Sequence, residues 1–161
     1  IEHAQMLKER DIPRLARLGL AASVQPQHAM DDRDVIARFW GTPAGIPYAF
    51  NSLHKAGTKL LMGSDAPVAP LDPWLAISAA VFGTESSDRE PFQPEQCLDF
   101  ETALASSTAV GRVALRDADA ADLVLLDCDP SIIDSPEAMR AMPEHVLGTM
   151  LAGRWTYQQA E

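Results

Sequence analysis

An α/β fold built on parallel strands is the class this sequence predicts, and three observations carry the prediction. Over residues 1–82 a short apolar strand repeatedly ends in polar residues and gives way to an amphipathic helix. The polar groups gather at the strand tips rather than along the strand bodies. Past about Arg112 the beat stops and strands follow without a helix of comparable length between them, so a small β-rich appendage is expected there.

The first unit opens with Ile1-Glu2-His3, which reads as the end of a buried strand, so the sequence is expected to be the later part of a longer chain. Asp11-Ile12-Pro13 then starts a helix, with Asp11 as N-cap and Pro13 in the tolerant first turn; Ile12, Leu15, Ala16 and Leu18 form its buried face and Gly19 ends it. The second unit is a compact strand, Leu20 to Val24, which stops at Gln25-Pro26-Gln27-His28 because Pro26 cannot continue a central ladder. A loop carrying Asp31, Asp32, Gly41, Pro43 and Gly45 is expected next, followed by a helix over residues 46–56 on the spacing of Tyr48, Phe50, Leu53 and Ala56. The third strand, Lys59 to Met62, ends in Gly63-Ser64-Asp65; a proline-bearing loop leads to Pro73, which starts a helix through Trp74, Ile77, Ala80 and Val81.

Residues 83–99 read as a surface excursion rich in turn formers, and Asp99 caps a helix expected to reach about Val110. Strands are predicted at Ala121 to Asp127 and Val146 to Leu151, with a turn at Gly153-Arg154 and a last short strand at Trp155-Thr156-Tyr157. No internal repeat beyond the strand-helix beat and no low-complexity stretch is present.

Composition narrows the partners. Hydrophobic residues make up 47% and charged residues 22%, enough apolar material for a packed core. The formal net charge is -10, and the basic residues are scattered, so no positive patch exists to hold nucleic acid or an anionic membrane surface. The longest apolar runs, such as Leu123 to Leu126, fall far short of the roughly 20 residues a bilayer demands. Cys97 and Cys128 lack further Cys or His at metal-ligand spacing and read as free thiols of a reducing compartment, with the cytoplasm as the expected location.

In parallel strand-helix barrels the functional groups lie at the carboxyl ends of strands. Three polar tips therefore matter: Glu2-His3, Gln25 to His28, and Ser64-Asp65. An imidazole and a carboxylate on separate strands can meet around a divalent metal, since both suit zinc-like ions. Asp65 could instead cap its turn, and His3 could be an ordinary buried histidine bonded to a carbonyl. Ser64 is a poor nucleophile, because Gly63-Ser64-Asp65 lacks the second-glycine spacing of a nucleophile elbow. His54 and His145 read as surface residues; Trp40, Tyr48 and Trp74 would suit a hydrophobic mouth, although core packing serves at least two of them as well. Asp117 to Asp129 lacks the glycine and terminal Glu of a calcium loop.

Taken together, Ile1-Glu2-His3-Ala4-Gln5, Gln25-Pro26-Gln27-His28 and Gly63-Ser64-Asp65-Ala66-Pro67-Val68 resemble the amidohydrolase superfamily, in the branch that includes N-substituted formamide deformylases. Ala121 to Asp127 with Asp129-Pro130 resembles that family's return into a small β-sandwich domain. The resemblance implies that residues 1–111 are the C-terminal part of a (β/α)8 TIM barrel, strands six to eight with their helices, and that 112–161 belong to the β-sandwich. It places His3 on the sixth strand and Asp65 on the eighth as metal ligands, Asp65 also as the catalytic proton carrier, and Gln25 and His28 at the seventh as substrate-binding residues. The implied cofactor is one or two divalent ions, most simply zinc. The implied reaction is hydrolysis of a linear non-peptide carbon-nitrogen bond in a small-molecule amide or formamide, through a metal-activated water.

The family's first-strand His-x-His, and its Lys or Cys and its His from the fourth and fifth strands, have no counterpart here and would lie before Ile1. This segment by itself is therefore expected to be inactive, since a catalytic metal needs three or more protein ligands. A non-catalytic relic that binds a ligand or partner, and a deaminase of the same superfamily, stay open as alternatives, as does a homodimer.

Overall fold

The computed structural model describes residues 1–40, 44–109, 111–117 and 119–160. Its centre is a parallel pair, β2 (Ala21–Val24) beside β4 (Lys59–Met62), in the register Ala21 to Lys59 through Val24 to Met62. Glu2 joins the same sheet through a parallel bridge to Ser23, and the Ser23 amide donates to the Ile1 carbonyl at 2.8 Å. The expected strand stub is thus present, and it runs in the direction the strand-helix beat requires. Two residues farther on, β1 (Met6–Leu7) pairs antiparallel with β3 (Ile46–Pro47).

Helices flank this sheet. α1 (Ile12–Arg17) carries Pro13 in its first turn and buries Ile12 and Leu15. α3 (Phe50–Lys55) buries Phe50 and a fully enclosed Leu53. α4 (Pro73–Phe82) is capped by the Asp72 carboxylate, which accepts from the Trp74 amide at 2.9 Å, and it buries six of its residues. Gly83 ends it with φ +63, in the left-handed region; a Cβ there would lie 2.8 Å from Cys97 Sγ, so both conformation and space call for glycine. α5 (Phe100–Ser106) starts at Asp99, whose carboxylate takes the Thr102 amide at 2.8 Å. α6 (Pro136–Arg140) docks on α4, where the buried Ser78 hydroxyl donates to the Pro136 carbonyl at 3.2 Å.

Several local expectations change. Leu18, expected on the buried face of α1, lies just past its end and is 67% exposed. The stretch after Gln25 is not a loop: α2 (Pro26–Val35) begins there at once and passes into a π-helical turn, Ile36–Trp40. Its helix-start signal was Pro26 at N1, and Asp31 and Asp32, expected in a loop, are on the polar flank of a helix packed on α4 through Ala29 and Met30. The helix expected over 46–56 is only Phe50–Lys55, because Ile46–Pro47 is drawn into pairing with β1. The helix after Asp99 ends at Ser106, and Val110 lies outside the described residues.

Past Arg112 the expected strands form one antiparallel sheet in the order β5 (Leu123–Leu126), β6 (Val146–Leu151), β7 (Arg154–Gln158). The core beneath it includes Met139 and Met142, both fully buried. Trp74 is core and Trp40 is exposed; no helix among the described residues is long and apolar enough to cross a membrane.

Candidate metal centre

The parallel register decides what meets. With Glu2 bridged to Ser23, and Val24 opposite Met62, the carboxyl ends of three segments share one edge, and the Gly63 amide donates to the Val24 carbonyl at 3.0 Å. Side chains just beyond each segment therefore converge: His3, His28 and Asp65.

His3 and Asp65 both turn the chain with left-handed backbone, at φ +66 and φ +57, conformations that His and Asp adopt more readily than branched residues do. His3 Nε2 and Asp65 Oδ2 lie 3.9 Å apart, too far for a hydrogen bond. His28 sits in the first turn of α2, its ring stacked on that of His3 with centroids 5.9 Å apart and planes 17° apart. One ligand atom from each of His3, His28 and Asp65 lies within 4.8 Å of the others.

Two imidazole nitrogens, His3 Nδ1 and His28 Nε2, are buried without a hydrogen-bond partner among the described residues. Leaving such groups unsatisfied costs about 1–3 kcal/mol each; His28 Nε2 is thus free to ligate, while on His3 the nitrogen that approaches Asp65 is Nε2, not the unpartnered Nδ1. Around a tetrahedral zinc-class ion, donors stand about 3.3 Å apart; the His3–Asp65 gap closes to that by a few tenths of an ångström. The donor set, two imidazoles and a carboxylate, suits such an ion, and the residues therefore fit it. The turn after Asp65 is closed by backbone, the Val68 amide to the Asp65 carbonyl at 2.9 Å, which leaves the carboxylate free of a capping duty.

A cavity of about 400 Å³ opens beside these donors, lined by His3, Gln5, His28, Asp31, Asp32 and Val68. His3 and Asp65 keep about two-fifths of their side-chain surface exposed, 43% and 41%, so the centre is open to solvent and substrate. A larger cavity of about 710 Å³ lies at the opposite, amino end of β4 beside Lys59 and is remote from this chemistry.

Gln5 and Asp32 of the cavity wall are joined by Tyr48, which the sequence offered only for a hydrophobic mouth or for core packing. Tyr48, nearly fully buried, donates its hydroxyl to Asp32 and accepts from Gln5 Nε2 at 3.0 Å. Burial, and then the Asp32 carboxylate, push the Tyr48 phenol far above its ordinary range, so it stays a proton donor. Asp31 is held above the usual carboxylate range by partial burial and then by Glu85, with His28 opposing. Reading 31–34 as a loop hid both carboxylates; the signal that would have found them is helical spacing from His28, which puts Asp31 and Asp32 three and four residues on and next to it on one face. Gln25 is buried with Oε1 unpartnered but does not line the cavity. His54 is exposed on α3, as expected of a surface residue.

Residues 1–157 match the profile of the Amidohydrolase family. The chain is 31% identical over 168 residues to Protein LONG AFTER FAR-RED 3 of Arabidopsis thaliana, covering 98% of this chain and 28% of that protein. It is 28% identical over 170 residues to YtcJ of Bacillus subtilis (strain 168), named as an amidohydrolase, covering 98% of this chain and 32% of YtcJ. It thus spans about a third of the length of these curated relatives. Among solved structures, an uncharacterized metal-dependent hydrolase from Pyrococcus furiosus superposes with a TM-score of 0.57 and 30% identity, over 69% of this chain and 22% of that one. A prolidase complexed with N-methylphosphonate-L-proline gives 0.60 over 99% of this chain and 40% of its own, at 17% identity, a likeness of fold alone.

Proposed function

The chain belongs to the amidohydrolase family, and from that premise we propose that it supplies the carboxyl-terminal metal ligands and the proton carrier of a metal-dependent hydrolase acting on linear, non-peptide carbon-nitrogen bonds. The observation that carries this reading is the 3.9 Å approach of His3 Nε2 to Asp65 Oδ2 at the mouth of a cavity, with unpartnered imidazole nitrogens beside it.

When bound, a divalent ion, most simply one or two zinc ions, lowers the pKa of a coordinated water to about 7 and polarises the scissile carbonyl. His3 and Asp65 hold it. Asp65 takes the proton of the attacking water and returns it to the leaving amine, so one carboxylate serves both halves of the reaction. His28 meets the substrate, and the Tyr48–Asp32 pair keeps a hydroxyl fixed behind it; Gln25, buried outside the cavity lining, does not share that role. His28 also has a second reading as a third ligand, favoured by its place within 4.8 Å of the other two donors. Remaining ligands come from other parts of a longer protein, in which residues 1–111 complete a (β/α)8 barrel and 112–161 a small β-sandwich. The motifs at His3, Gln25 to His28 and Asp65 favour an amide or N-substituted formamide as substrate. The free thiols Cys97 and Cys128 favour a reducing, cytoplasmic setting.

The test is metal analysis and turnover of the full protein alongside its Asp65→Asn variant. Stoichiometric zinc in the wild type, and loss of hydrolysis in a folded variant, support the reading. A variant with wild-type rates ends it.

A further inference from the structure

A second group of unlike donors lies outside this centre, at the open end of the β5–β6 ladder. Asp127 and Cys128 directly follow β5, and His145 directly precedes β6. The Asp127 amide donates to the His145 carbonyl at 3.1 Å, which fixes the two strand ends against each other. The ladder is irregular just before this point, between Leu125 and Leu126, and such bulges re-aim the side chains that follow. His145 Nδ1 is 2.8 Å from Asp127 Oδ1, and one ligand atom from each of Asp127, Cys128 and His145 lies within 4.8 Å of the others. On its inner side the Cys128 sulfur is 3.9 Å from the thioether of Met142, a fully buried side chain of the core.

We propose that Asp127, Cys128 and His145 form a second site for a zinc-class divalent cation, separate from the centre at His3 and Asp65. A hydrogen-bonded His–Asp pair alone would need no cysteine; what singles out this cluster is sulfur, nitrogen and oxygen donors converging from two strand ends that the backbone already holds in place. Thiolate and imidazole together select zinc, cobalt or cadmium over magnesium or calcium. Donors around such an ion stand about 3.3–3.6 Å apart, so binding opens the 2.8 Å imidazole–carboxylate contact by about half an ångström to seat the ion beside the thiol. The ion displaces the thiol proton, which is released to solvent, and His145 ligates as the neutral imidazole, its ring proton carried on the nitrogen that does not face the ion. Three protein ligands leave a fourth position for water on the exposed side. The ion ties the end of β5 to the start of β6, a stabilising role for the sheet rather than a part in the hydrolytic reaction.

Cobalt(II) titrated into the chelator-stripped full protein reads the site directly. The expected result is a near-ultraviolet sulfur-to-cobalt charge-transfer band that zinc displaces, retained by Cys97→Ser and by Asp65→Asn, and lost in Cys128→Ser. His145→Gln, at the solvent side of the cluster, should keep the fold and weaken cobalt binding by roughly tenfold or more. Zinc should also raise the melting temperature of Asp65→Asn. Absence of the band, its survival in Cys128→Ser, or unchanged affinity in His145→Gln overturns the proposal, and none of these outcomes bears on the hydrolase reading.

Discussion

A single carboxylate, Asp65, concentrates the chemistry because its Oδ2 comes within 3.9 Å of His3 Nε2 with left-handed backbone behind it. Removing its charge while keeping its shape, as Asp65→Asn, is expected to lower kcat by roughly 10²–10⁴-fold, the range for a lost general acid–base, with an unchanged circular dichroism spectrum; a smaller loss would move proton transfer elsewhere. His28 separates two roles by measurement. If His28→Ala raises KM and leaves metal content intact, it meets substrate; if zinc falls in proportion, it is a ligand. That His3, His28 and Asp65 lie together was legible from the sequence because strand tips announce themselves by a switch from apolar to polar residues, whereas Gln25, from the same tip as His28, is buried outside the cavity lining. The pairing of Tyr48 with Asp32 was not legible, since it depends on a turn and a helix that bring residues 16 positions apart into contact.

At the scale of elements, the strands were more legible than the helices. β4 and β6 end where their apolar runs end, whereas α2 is polar along most of its length and shows its identity only through Pro26 and its packing on α4. The 83–99 excursion illustrates a different limit, because it is held by contacts distant in sequence: the Ser87 amide and hydroxyl donate to the two oxygens of Glu137 at 2.6 and 2.7 Å. These bonds bring the Glu137 carboxyl down from its ordinary 4.5 to about 2. Because the folded value is the lower one, the contribution to stability is complete above the ordinary value and is lost as pH falls from 4.5 toward about 2. Glu137→Gln should flatten the acid limb of a denaturation series over that interval and leave neutral unfolding nearly unchanged in its pH slope. Inside the helical layer, Leu53→Ala removes a fully buried side chain of α3 and should cost about 2–5 kcal/mol in denaturant unfolding; a loss under about 1 kcal/mol would mean that α3 repacks.

For the whole molecule the balance lies between net charge and uncovered apolar surface. The three-stranded sheet leaves Val124 at 60%, Leu125 at 51%, Leu151 at 61%, Trp155 at 47% and Tyr157 at 48% exposure. Val124 and Leu125 are successive residues of β5 and so point to opposite faces, which leaves apolar surface open on both faces of that strand even though Leu126 packs against the core. Surface of this kind drives association when it is contiguous, while a formal charge of -10 opposes it. The two forces differ in reach. Charge repulsion acts over a Debye length of about 8 Å at physiological salt and shrinks to about 3 Å at 1 M, whereas apolar contact is short-ranged and salt does not screen it. The 161-residue chain is therefore expected to self-associate through this sheet, and to do so more strongly as salt is raised. Light scattering across a salt series checks this, with Val124→Thr combined with Trp155→Thr expected to return the monomer. A monomer at every salt concentration, or association that weakens with salt as ion pairing would, rules the sheet out as the contact.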